Sequence, residues 1–200
     1  MHDTKVPTGR SMLTMLGILV FLALLGAGIQ ALSDPVPGSS VPVEESSIED
    51  GIDWLLRGVR PSDPRHKRSA ELAGLIYTEG AYYEVDPHLV LATLFAESSL
   101  RLNRVGAARA EIGLGQLHGT ALRKAKKELK RRELSYDTLE GQVAACAWLL
   151  KDCRTACKST DKSIEQAARY LSGKCRPVSD NVVKRAHYRL LLTSRLENVQ

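Results

Sequence analysis

Residues 12–32, MLTMLGILVFLALLGAGIQAL, contain no charged side chain. About 20 apolar residues in a helix reach roughly 30 Å, the thickness of a bilayer core. The run is therefore read as a membrane anchor or an export signal. Its length favours an anchor, and the small residues around Ala31-Leu32-Ser33 leave cleavage open. Lys5 and Arg10 precede it, whereas Asp34, Glu44, Glu45, Glu49 and Asp50 follow. Basic flanks stay on the cytoplasmic side. Everything after residue 32 is thus expected outside the cytoplasm, tethered to the membrane or released if the signal is cut.

Cys146, Cys153, Cys157 and Cys175 all follow this run. In an exported domain they read as disulfide formers. Cys146 and Cys153 lie seven positions apart on an expected helix, roughly 10 Å by helical rise and too far to bridge. Cys157 with Cys175 is the preferred pair, closing the connection between two helices, and Cys146 reads as a core thiol. A zinc site is the alternative, against which the spacing has no C-x-x-C knuckle and no histidine nearby; no metal or cofactor is expected.

Residues 33–47, SDPVPGSSVPVEESS, lack periodicity and open a linker taken as residues 33–61. Within it, residues 48–59 read equally as an amphipathic helix on the membrane surface or as an arm packed on the domain. From residue 62 the pattern turns helical. Asp63-Pro64 and Asp86-Pro87 each set a capping residue before a first-turn proline. Ala70, Ala73, Ile76 and Tyr77 recur at helical spacing. Leu89, Thr93 and Glu97 share a face, so Glu97 ends an apolar helix on its inward side. Residues 103–115 read as a loop, and residues 116–133, 139–157, 164–171 and 181–196 as helices. No alternating strand or internal repeat is present, and the domain is expected to be mostly α over residues 62–200.

Several segments taken together resemble the lytic transglycosylase family. They are Val85-Asp86-Pro87-His88-Leu89, Ala96-Glu97-Ser98-Ser99, Gly113-Leu114-Gly115-Gln116-Leu117 with Thr120-Ala121, and Ala167-Ala168-Arg169-Tyr170-Leu171-Ser172-Gly173. Their order and spacing match that family's V-D-P, E-S-x-F, G-L-M-Q and A-x-Y-N-x-G segments, over about residues 66–190. Leu100, Gly115, Gly119 and Leu171 depart from the family's phenylalanine, methionine, proline and asparagine. Ala110-Glu111-Ile112-Gly113 is closer to the D-I-G-L variant of secretion- and conjugation-associated members.

The resemblance implies a goose-lysozyme-like helical fold behind the N-terminal helix. It implies an enzyme of a bacterial inner membrane, facing the periplasm, that cuts peptidoglycan strands between N-acetylmuramic acid and N-acetylglucosamine. Glu97 would act as acid and then base, giving a 1,6-anhydro ring. Gln116 and Tyr170 would contact the sugar, and Ser98 would join them, orient Glu97 or merely end the helix. Physically, such a glutamate needs an apolar site to hold its proton near neutral pH. Glycosidases commonly use a second carboxylate; Glu84, Asp86 and Glu111 are the candidates. A lysozyme-like hydrolase on the same fold stands as one alternative, and a non-catalytic wall-binding part of a secretion or phage apparatus as another. RKAKKELKRRE, residues 123–133, reads as a solvated helix face or a surface for anionic wall polymer or lipid. Outside the cytoplasm it would meet no nucleic acid.

Overall fold

The computed structural model describes residues 44–106, 111–160, 163–176 and 179–199. The expected membrane segment lies outside these, and among the described residues no helix is long and apolar enough to cross a membrane. Seven α-helices are present among them: α1 Glu45–Leu56, α2 Ser69–Tyr83, α3 Pro87–Ser98, α4 Gly119–Arg131, α5 Leu139–Cys157, α6 Ile164–Ser172 and α7 Asp180–Leu196. A 3₁₀ turn, His66–Arg68, leads into α2. Isolated bridges join Ile112 to Val105 and to Leu117, and the architecture is helical, as expected.

Local chemistry fixes the helix starts. Asp86 accepts the His88 amide while Pro87 takes the first turn of α3. Thr138, Ser163 and Ser179 cap α5, α6 and α7 in the same way. The basic helix starts at Gly119 rather than at residue 116, because Gln116 and Gly119 both have positive φ and break the helical path.

Helix α3 is apolar all round, and Leu89 through Leu94 are buried. A helix of that kind belongs at the centre of a fold, and α1, α2, α5 and α7 pack around it. Helix α5 forms a second centre, against α2, α4 and α6. The domain boundary needs correcting. Ile48, Ile52 and Leu56 of α1 are wholly buried, and Gly51 lets the helix close on Leu91 and Leu196. Residues 45–56 are therefore part of the core rather than linker, because their i, i+4, i+8 stripe has an apolar partner in α3.

One ion pair ties the end of α4 to α2. Glu79 is 1% exposed and receives both terminal nitrogens of Arg132. Arg132 also donates to the Tyr83 hydroxyl at 3.1 Å and stacks 4.0 Å from the Tyr82 ring centre.

Cys157 and Cys175 form the expected disulfide, joining the end of α5 to the chain after α6. Cys146 and Cys153 are free and buried. Burial pushes each of these thiols up to about 12. A thiol that titrates near 8.5 when unfolded and near 12 when folded favours the fold below pH 8.5. That contribution declines as pH rises through the interval between the two values. Native protein is thus expected to leave both thiols unreactive toward a disulfide reagent at pH 8, with two released on denaturation. Thermal unfolding should shift steadily downward between about pH 8.5 and 11. Rapid labelling of either thiol in the folded protein would contradict this.

Candidate functional site

Helix α3 carries Glu97 in its last turn and stops two residues later, where Ser99 and Leu100 turn left-handed. The chain then forms the loop that returns through residues 111–117. Gly113 makes this loop possible. Its φ is +83°, and a Cβ there would lie 2.4 Å from the Gln142 side-chain oxygen. That oxygen accepts the Leu114 amide at 2.7 Å. The loop is thereby fixed to α5.

A pocket opens between the end of α3, this loop, α6 and α7, lined by Glu97, Glu111, Gln116, His118, Tyr170 and Arg185 among others. Three of the four predicted site residues, Glu97, Gln116 and Tyr170, meet there. Ser98 does not. It is fully buried, and its hydroxyl donates to the Leu94 carbonyl at 2.9 Å. Its expected sugar contact is therefore corrected: the helical turn points it into the core while Glu97 faces the pocket and α7.

Gln116 donates its amide nitrogen to the carbonyls of Arg104 and Gly113, at 2.9 and 2.7 Å. It thereby staples the loop on the wall of the pocket. Tyr170 donates to the Gly115 carbonyl at 3.1 Å. A side chain at position 115 would begin 2.9 Å from that hydroxyl, so Gly115 is what admits the tyrosine. Burial raises the Tyr170 hydroxyl well above the usual range and keeps it a neutral donor.

The setting of Glu97 differs from the apolar one expected. Its side chain is 10% exposed and ion-paired with Arg189, which is 2% exposed. Arg185, half exposed, reaches both carboxylate oxygens at 3.3 Å. Arg189 also lies 4.7 Å from the Tyr170 ring centre. Burial pulls the Arg189 guanidinium down from its usual range, and the facing carboxylate opposes that loss of charge.

Neither arginine was a candidate from sequence. A signal existed: Arg189 falls on the α7 stripe that buries Ala186, Thr193 and Leu196. A cation on an apolar stripe calls for a carboxylate partner. Of the candidate second carboxylates, Glu111 lines the pocket, with His118 3.9 Å away. Asp86 caps the far end of α3, and Glu84 is exposed beside Arg154.

A larger cavity lies between residues 63–68 and 100–103. Its charged pair, Asp63 and Arg65, is spent internally: Arg65 binds both Asp63 oxygens and the Ser99 carbonyl. No family model and no curated protein sequence matches this chain.

Proposed function

We propose that this chain is a peptidoglycan-cleaving enzyme of the lytic transglycosylase type, with Glu97 as its acid–base residue. The observation that supports this reading is convergence. Glu97, Gln116 and Tyr170, distant in sequence and singled out by resemblance, line one pocket.

In the proposed reaction Glu97 gives a proton to the glycosidic oxygen between N-acetylmuramic acid and N-acetylglucosamine. The bond from C1 of N-acetylmuramic acid to that oxygen breaks and N-acetylglucosamine leaves with the proton as its hydroxyl; the resulting carboxylate takes the proton of the muramic sugar's own C6 hydroxyl, whose oxygen closes on C1. No water is consumed. Two facing guanidinium groups favour an ionised carboxylate, so the acid step requires a looser ion pair. Arg185 is the partner a glycan strand displaces, because it alone of the two reaches solvent. Arg189 remains and holds the carboxylate in place. Gln116 and Tyr170 line the space offered to the sugar.

Glu111 in the same pocket favours a second reading, a lysozyme-like hydrolase in which it positions water. Product mass separates the two. Residues 44–200, kept oxidised, are to be incubated with purified peptidoglycan and the released muropeptides weighed. Products one water lighter than hydrolytic ones are expected. Products of hydrolytic mass would transfer the assignment to the second reading. Failure of the folded protein to release anything from several wall types would remove both.

A further inference from the structure

We propose a zinc-class cation site formed by Asp86, His88 and Glu197, at the opposite end of α3 from Glu97. One ligand atom from each residue lies within 4.8 Å of the others. His88 is 5% exposed. Its Nε2 lies 3.3 Å from the Ser47 hydroxyl. Its Nδ1 is buried with no hydrogen-bond partner, and the nearest Asp86 oxygen is 3.7 Å away, beyond hydrogen-bond length.

The partner of one ring nitrogen sets the state of the other. With the ring proton on Nε2 and given to Ser47, Nδ1 presents a lone pair. That lone pair is then a buried acceptor with no donor, beside oxygens of Asp86 and Glu197, and a cation held between the three would satisfy it. One imidazole nitrogen with two carboxylates suits zinc, which leaves its fourth position for water. Calcium and magnesium favour all-oxygen shells. Asp86 is held in place because it also accepts the His88 backbone amide at 2.9 Å. Glu197, at the end of α7 and only partly buried, supplies the adjustment that zinc–ligand distances of about 2 Å require. Sequence reasoning passed over this group because Glu197 is remote from the Asp86-Pro87-His88 turn.

The site fastens the start of α3 to the end of α7, with Ser47 of α1 orienting the imidazole from outside. It shares no residue with the Glu97 pocket, so its test is independent of the proposed activity. Full-length protein in detergent, stripped with chelator, is to be titrated with zinc against a chromophoric competitor, and its thermal unfolding followed. One bound ion per chain is expected. The midpoint should rise by roughly 5–10 °C at a hundredfold excess over Kd. His88→Gln and Glu197→Gln should each lose both effects, while His187→Gln, at an exposed position, should keep them. Should His88→Gln not fold, Glu197→Gln carries the test alone. Absence of a bound ion overturns the proposal, as does a zinc response that survives Glu197→Gln.

Discussion

Replacing Glu97 by glutamine is expected to cut glycan cleavage by about 10²- to 10⁴-fold, the range for loss of one acid–base group. The same change should destabilise the fold by about 3 kcal/mol. The second effect comes from Arg189. Its side chain is 2% exposed and lies against the carboxylate. Glutamine keeps the shape but removes the charge, leaving a buried cation uncompensated. The two effects separate in a second background. Glu97→Gln with Arg189→Met should recover most of the lost stability, because an apolar chain replaces the stranded charge, yet remain inactive. Arg185→Ala should cost less than about 1 kcal/mol, since that side chain is half exposed. Denaturant unfolding and muropeptide release, measured on the same preparations, check each expectation. If Glu97→Gln turned over normally, the catalytic assignment would fail. If it were inactive but fully stable, the ion pair would contribute nothing to the fold.

Arg132→Ala should be among the most damaging single changes away from the pocket, at about 3–5 kcal/mol. Arg132 answers the charge of Glu79, which is 1% exposed, and also meets the Tyr83 hydroxyl and the Tyr82 ring. Truncating it leaves an acid in the core and empties the space between α2 and the end of α4. The joint change Glu79→Leu with Arg132→Met should be close to neutral, because it removes both charges and retains volume. A double-mutant cycle read by urea unfolding isolates the coupling. Additive losses from the two single changes would show that the pair does not act as a unit.

Neither arginine–glutamate pair was legible from the sequence, and the reason is the same for both. Local rules register spacing, caps and apolar stripes. They identified α3 from Asp86-Pro87 and the run after it, and α5 from its length and apolar faces. They say nothing about which distant charge meets which. Glu97 looked like an acid ending an apolar helix; its partners stand on α7. Ser98 was misjudged for a smaller reason. At a helix end, adjacent residues differ by about 100° in direction, so the neighbour of a glutamate that faces a pocket can face the core. The stripe of α1 was visible in Ile48, Ile52 and Leu56, but periodicity alone does not say whether lipid or protein covers it. The pairing of Cys157 with Cys175 was accessible because these two cysteines flank the connection between two helices.

The position of α7 in the chain has a consequence for the order of events during synthesis. Arg185 follows Glu97 by 88 residues, and Arg189 comes later still. As the polypeptide emerges, α1 to α6 can gather while Glu97 still lacks its counter-ions. The proposed acid–base site is complete only when the last described helix docks. Loss of α7 would therefore leave Glu97 without either counter-ion, even where the remaining helices held together. For a protein proposed to cut the wall that contains its own cell, late completion keeps an unfinished copy harmless.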